Sequence, residues 1–574
     1  MDPIAGFSES AFYNILIQVA FRFSTFFLNA ALLRFITKET LGVVNVRLLL
    51  LYTTASFCAR EPFRKACLQS GEVHRDWRRT VNVLWLCPVV CVAVCSFLSL
   101  VWICVLSRPN PDLAESYNTA VMAFAGSIIL ETLAEPLWII GQSFMMVRLK
   151  AGTEAFYVCL RNVLFFLLTL YLKHLGLVTF GLAMMISSLA YAVIYYAYFI
   201  KFVLHSRSSD IEAVPLSRLK DVLPDPRSGL DGQLVSLSWS FFSHSAVKQI
   251  LTEGERYVMT FTNVLHFAEQ GVYDVVNNLG SLVARLLFAP VEESAYTFFC
   301  LTLVRSKLPK EQNQENFKMA ALTLCALLKF VTLSGLIIFT FGIPYSYLAL
   351  KLYGGSMLCD GEGPTLLRFY CIYVIFLAAN GITECFCFAV MSNEQVKRHQ
   401  RLLLLFCVCF LLAAWILTKI LGSVGFILAN CCNMLFRILY CCNFIHFYFK
   451  GTGYFPLSNF IPDFYVLFIL LFALFTMLFS QVLFCCDGVF NSLAHITVGF
   501  VFLLLTRKLR SDIVSVAEML CIRNSRGGLS KVINTKYADE KALRYCKVQQ
   551  GYNTHMSIWH VVIGFESSKI LRNL

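Results

Sequence analysis

Stretches of about 20 mainly apolar residues recur along most of this chain, each long enough to cross the hydrocarbon core of a bilayer as a helix. Backbone amides find no water partner in lipid, so a spanning segment must satisfy them internally, as a helix does. Composition agrees with that reading. Hydrophobic residues make up 58% of the 574 positions and charged residues 14%, with a mean hydropathy of +0.67. Soluble domains are closer to a quarter charged, so this chain has too little polar surface to cover a globule. The first ten residues carry acids and no base, and the apolar run that follows continues, which does not fit a cleavable signal.

The expected class is therefore all-α and integral to the membrane, with about fourteen spans. They fall near 12–36, 41–59, 81–106, 118–147, 156–174, 178–204 and 234–262, then near 270–304, 317–341, 365–392, 402–418, 424–449, 463–484 and 489–506. The seventh is interrupted by Lys248, Glu253, Glu255 and Arg256. Loop charge tests the count. Loops after odd-numbered spans are poor in bases (Lys38, Arg108, Lys173, Lys351, Lys419), whereas those after even-numbered spans are rich, led by Arg60, Arg64, Lys65, Arg75, Arg78 and Arg79. The positive-inside rule puts the even loops and both termini in the cytosol. The net charge of +13 then reflects orientation and anionic lipid headgroups rather than nucleic acid. The longest non-cytosolic loop is read as 342–364, too short for a folded catalytic domain.

Most of the 23 cysteines lie inside apolar runs, some as neighbours such as Cys431-Cys432 and Cys441-Cys442. Adjacent residues on a helix point apart and cannot bridge, so these read as small helix-packing residues. Cys87, Cys91 and Cys95 share a face, but no His or carboxylate joins them, so no metal or other cofactor is expected.

Two halves of the chain are weakly alike. Arg22-Phe-Ser-Thr-Phe-Phe-Leu-Asn29 aligns with Arg256-Tyr-Val-Met-Thr-Phe-Thr-Asn263, Gly42-Val-Val-Asn-Val46 with Gly271-Val-Tyr-Asp-Val275, and Leu133-Ala-Glu-Pro136 with Ile382-Thr-Glu-Cys385. The order is kept and the offset drifts only from about 229 to 249 residues. An offset of six spans returns the chain to the same side, which makes the halves parallel repeats about an axis along the membrane normal. The expected division is an N-lobe over 1–204, a cytosolic linker over 205–233, a C-lobe over 234–449, two extra helices over 450–508 and a cytosolic tail over 509–574.

A charge at mid-bilayer costs roughly 2.5–3.5 kcal/mol even on the lenient insertion scale, so each one calls for a cavity, a partner or a function. Gln18, Arg22 and Asn29 form a polar stripe in the first span, repeated by Thr252, Arg256 and Asn263 in the seventh. Span eight carries Asp274, Asn277, Asn278, Ser281 and Arg285 near one face. Glu131 and Glu135 are one turn apart in span four, as Asn380 and Glu384 are in span ten. Simple pairing among these groups is one reading. The other is a shared central cavity in which Arg22 and Arg256 meet a phosphate or pyrophosphate, which arginine suits because it stays charged and donates in pairs. The carboxylates then balance those arginines, bind sugar hydroxyls or carry a proton, and the sequence leaves the choice open. Arg60, Arg64 and Lys65 lie at the cytosolic mouth, either as headgroup contacts or as a positive-inside anchor.

Several motifs resemble the eukaryotic oligosaccharide translocation proteins of the dolichol pathway. They are Gln270-Gly-Val-Tyr-Asp-Val-Val-Asn-Asn-Leu-Gly-Ser-Leu-Val-Ala-Arg285 with Pro290-Val-Glu-Glu-Ser294, Glu253-Gly-Glu-Arg-Tyr257, Arg60-Glu-Pro-Phe-Arg64, Leu133-Ala-Glu-Pro136, and Asn380-Gly-Ile-Thr-Glu-Cys385. The likeness runs over about 10–508. That family is similar in turn to bacterial lipid-linked saccharide flippases and multidrug exporters, with two six-helix lobes around a V-shaped cavity. The resemblance implies the endoplasmic reticulum membrane, N-glycosylation, and a heptasaccharide on dolichyl pyrophosphate as cargo, moved from the cytosolic to the lumenal leaflet. It implies no enzyme and no cofactor. Its partners are the glycolipid, membrane lipid and other proteins of the pathway. No P-loop is present, so ATP hydrolysis is not expected. An accessory role without transport and a small-solute exporter stay open as alternatives.

Overall fold

The computed structural model describes residues 26–69, 77–144, 146–206, 222–225, 227–305, 307–460, 462–484 and 488–505. Arg22, Gln18 and the expected tail over 509–574 lie outside them, as does 207–221 of the linker. Among the described residues the chain is helical, with no strand. Numbered to match the spans, α1 is described over 26–32, followed by α2 (Lys38–Leu68), α3 (Trp77–Val105), α4 (Pro111–Ser143), α5 (Val147–Tyr171), α6 (Val178–Ser206) and α7 (Gly232–Thr262). The second half holds α8 (267–302), α9 (Gln314–Gly354), α10 (Gly363–Val390), α11 (Asn393–Leu421), α12 (Val424–Phe449), α13 (Phe464–Phe484) and α14 (Val489–Leu505).

Ten described helices are long and apolar enough to cross a membrane. The expected spans outside that set are the first, described only at its end, the seventh and eighth, which form helices but carry charge, and the fourteenth, described over 17 residues. Apolar side chains also face outward as no soluble fold would allow, for example Phe468, Phe472, Phe475 and Phe479 down α13.

One expected boundary is corrected. The ninth span does not stop at 341 in favour of a long loop: α9 runs on through Pro344 to Gly354, and a turn of helix follows at Ser356–Cys359. Proline inside a helix forfeits a hydrogen bond and costs about 3 kcal/mol. Here the continuation buries Leu348 and sets Leu350 and Leu358 in the core of the second half, which offsets that loss.

Each half has its own core. The largest apolar cluster is drawn almost wholly from α7 to α12, and two others from α2 to α6. Loops sort by side. On one face Lys38, after α1, donates to Asp360 O at 2.6 Å, Ser107, after α3, donates to Asn263 Oδ1 at 2.7 Å, and Ser423, after α11, donates to Glu362. On the other face Asn82, near the start of α3, holds the linker: its Nδ2 donates to Asp225 O at 2.8 Å and Gly229 O at 2.7 Å, and its Oδ1 accepts from Asp225 N at 2.7 Å. The Ser228 hydroxyl and Arg227 amide hold the Asp225 carboxyl below its ordinary range. In these contacts odd loops meet odd loops and even loops meet even ones, which puts the two ends of α7 on opposite faces.

Candidate functional site

Local sequence breaks put the buried charges where they are. Pro136 cannot donate and clashes with the preceding turn, so α4 stops at Thr132 and restarts at Glu135. Glu131 ends the first piece and Glu135 opens the second, both buried. Their cations come from α2. Arg60, itself buried, donates to Glu131 at 2.7 Å and Glu135 at 2.9 Å, and Arg64 donates to Glu135. Tyr52 adds a bond to Glu131 at 2.5 Å and lies 3.1 Å from Tyr157, while the Arg64 guanidinium stacks 3.8 Å over Trp138. Of the three residues read as a cytosolic mouth, Arg60 and Arg64 thus clamp α2 to α4. Lys65 is half-exposed and pairs with Glu61 at 3.4 Å.

A second cluster lies where the halves meet. The α7 backbone leaves helical geometry at Glu253 (φ −105°, ψ 15°), beside Gly254. Arg256 follows and donates to Glu253 and to Asp274 of α8, each at 2.9 Å. Asp274 Oδ2 accepts from Asn278 at 2.9 Å and, across the seam, from Asn45 of α2 at 3.1 Å. The first half reaches the same seam through Gly42, where an added Cβ would sit 1.9 Å from Phe267 O. A Cβ on Gly271 would sit 2.7 Å from Gly42 N. Gly42 matches Gly271 and Asn45 matches Asp274 in the internal repeat. Repeat-related positions therefore touch each other, as they must where a two-fold axis passes between the halves.

The remaining sequence-selected residues spread outward from this seam. Asn278 and Arg285 are exposed on α8, and Arg285 donates to Asn278 O at 2.9 Å and Ser281 O at 3.4 Å from a π-helical segment, Ala284–Phe288. Asn277 beside them is half-buried. Asn263 caps α7 in the left-handed region (φ 49°), which asparagine tolerates. Asn29 is half-buried, and its carbonyl accepts from Leu33 N. Glu384 does not join Glu131 and Glu135. It belongs to a separate cluster in the second half, bonded to Arg437 of α12 and Asn380, with the buried His399 at 3.5 Å.

Sequence reasoning passed over Arg47, Tyr52, Asn430 and Arg437. The rule that an intramembrane charge needs an explanation applied equally to Arg47 and Arg437, and it was the signal that could have found them. Glu255, noted only as an interruption, accepts from Tyr273 at 2.7 Å and Asn430 at 2.5 Å. Among the described residues no group of three or more His, Cys, Asp or Glu side chains is placed to hold a metal ion. An apolar groove between α4 and α6, lined by Leu133, Leu189, Val193 and Tyr196, lies apart from these polar clusters.

The model of the Rft protein family matches residues 7–515. The chain is 46% identical over 503 residues to the Man(5)GlcNAc(2)-PP-dolichol translocation protein RFT1 of Xenopus tropicalis, covering 87% of this chain and 93% of that protein. It is also 46% identical to its namesake in Mus musculus, over 85% and 91% of the two chains. In fold it resembles the lipid II flippase MurJ in an inward-closed conformation (TM-score 0.56, 15% identity, 88% of this chain and 100% of that one). An inward-facing multidrug resistance transporter of the MATE family, in the MOP superfamily, is similar too (TM-score 0.54, 13% identity, 75% and 96%).

Proposed function

The chain belongs to the Rft protein family, and on that premise we propose that it moves a dolichyl-pyrophosphate-linked heptasaccharide of the Man5GlcNAc2 type across the endoplasmic reticulum membrane. Cargo passes from the cytosolic to the lumenal leaflet, for protein N-glycosylation. The even loops and both termini face the cytosol in this reading, following the loop charges. The lobes are 1–204 and 234–449.

The observation that carries the proposal is the meeting of α2 and α8. Polar groups from both halves converge there on Asp274, among them Asn45, its counterpart in the internal repeat. Apolar residues would hold two lobes together as well or better, because desolvated ion pairs rarely repay their cost. A polar seam instead suits a surface that opens to a hydrated cargo. The pyrophosphate is placed against Arg22 and Arg256. To reach Arg256 it displaces Glu253, whose side chain is 16% exposed against 4% for Asp274. Asn277, Asn278 and Arg285, on the open flank of α8, take the glycan hydroxyls, and the polyprenyl tail stays in lipid. Arg256→Gln and Arg22→Gln are each expected to lower N-glycosylation of a cellular reporter at unchanged protein level. Wild-type glycosylation in both would remove the pyrophosphate role.

One observation favours a second reading, an accessory role without transport. Arg60, Arg64, Arg256 and Arg437 are all already paired with carboxylates, which leaves none of them free to receive an anion. Purified protein in liposomes with a labelled glycolipid separates the two. Accelerated transfer supports transport, and its absence, with glycosylation still dependent on the protein in cells, supports the accessory role.

A further inference from the structure

Arg47 differs from the paired arginines just named. It is 0% exposed, yet no carboxylate lies within ion-pair distance among the described residues. Its partners are neutral. NH2 donates to Ser107 Oγ and to Asn263 Oδ1, each at 2.9 Å, NH1 reaches Ser107 O at 3.3 Å, and the Phe267 ring lies 5.0 Å from the guanidinium carbon. Nε has no hydrogen-bond partner among the described residues. The backbone around it is a π-helical turn, Val43–Leu48, whose Arg47 carbonyl accepts from Trp102 Nε1 at 2.9 Å. An isolated buried cation is costly unless it is paired, and π-turns gather at functional positions.

Two less buried neighbours share the choice of a neutral acceptor: Arg34 is exposed and Lys38 half-buried. Arg34 donates to Leu352 O at 3.1 Å and Lys38 to Asp360 O at 2.6 Å. All three cations sit on the first half. All three reach across the seam on the odd-loop face to a neutral oxygen of the second half, and among the described residues none is paired with a carboxylate. Of the nearby acids, Glu269 accepts from His266 N at 2.9 Å and Glu362 accepts from Ser423. A seam made only for closure would set cations against anions. This one satisfies cations with groups that water or a phosphate replaces readily.

We propose that the odd-loop seam is a masked anion site, in which Arg34, Lys38 and Arg47 are held by neutral acceptors while the halves are closed and receive a diphosphate when they part. Asn263 is the latch, because its side-chain oxygen accepts from both Arg47 and Ser107 and so joins them to the end of α7. The identification of the diphosphate as the cargo headgroup rests on the function proposed above; the masked site itself does not. Parting the halves raises the fraction of molecules with the site exposed, and apparent affinity rises with that fraction.

The test uses Asn263→Gly, which removes the acceptor and keeps the left-handed backbone available. In purified full-length protein, amide exchange over 41–48 and 263–272 is expected to quicken. Affinity for inorganic pyrophosphate is expected to rise about tenfold, and Arg47→Gln in the same background should return it to the wild-type value. Unchanged exchange shows that Asn263 is no latch and overturns the proposal. Quicker exchange without tighter pyrophosphate binding, or a gain that survives Arg47→Gln, overturns the anion site. Nanodiscs carrying a polyprenyl diphosphate separate the sources. Competition with pyrophosphate assigns the site to the lipid headgroup, and its absence rejects that assignment. Failure of glycolipid transfer in liposomes beside a normal pyrophosphate response faults the function proposal and leaves the site standing.

Discussion

Changing Glu135 to glutamine tests whether the clamp between α2 and α4 is a coupled charge network. Glu135 is fully buried and serves two guanidiniums at once. Without its charge, Arg60 keeps Glu131 at 2.7 Å and Ser56 at 2.9 Å. Arg64 keeps only the Trp138 ring. Breaking a buried pair by removing one partner costs roughly 3–5 kcal/mol. The low end applies, because the glutamine oxygen still accepts a bond and the Arg64 side chain, 22% exposed, reaches water. About 3 kcal/mol is therefore expected for Glu135→Gln. Arg64→Gln leaves Glu135 bonded to Arg60, and loses the two hydrogen bonds of a partly exposed ion pair and a ring contact, worth about 2 kcal/mol together. The double variant strands no charge, so it should cost about 3 kcal/mol rather than the sum of 5, a coupling of about 2 kcal/mol. Equilibrium unfolding of the four proteins in mixed detergent micelles reads each value. Additivity within about 0.5 kcal/mol would show that the two side chains are energetically independent, and the network argument would fall.

Two further outcomes follow from close approach and from the linker. Gly271→Ala sets a Cβ 2.5 Å from Lys38 O and 2.7 Å from Gly42 N. Backbone cannot swing aside as a side chain does, so the variant should lose about 1–3 kcal/mol of stability and reporter glycosylation with it, and a neutral result would contradict the close seam. Asn82→Ala removes three bonds to the 225–229 turn. Amide exchange across 222–231 should quicken while α8 stays protected; unchanged exchange would mean that other contacts hold the turn.

Membrane class, helical architecture and family were all legible in the chain. They depend on properties that accumulate residue by residue: apolar length, loop charge and short motifs. The repeat was legible too, although the structure was needed to show that matched positions touch, Gly42 against Gly271 and Asn45 against Asp274. Sequence also marked the charges as out of place in lipid, because their cost is local and large. It did not say which charge answers which. Glu135 and Glu384 occupy matched positions in the halves, yet one is served from α2 and the other from α12. Only packing decides that, since a guanidinium reaches whichever carboxylate the neighbouring helix brings within 3 Å. Tertiary structure likewise carried α9 past Pro344 into a buried end that local breakers argued against. It also left Arg47 buried against neutral oxygens. The physical reason is common to all three: a one-residue signal states the cost of a group, whereas the offsetting partner comes from a helix distant in sequence, and only the assembled bundle sets that distance.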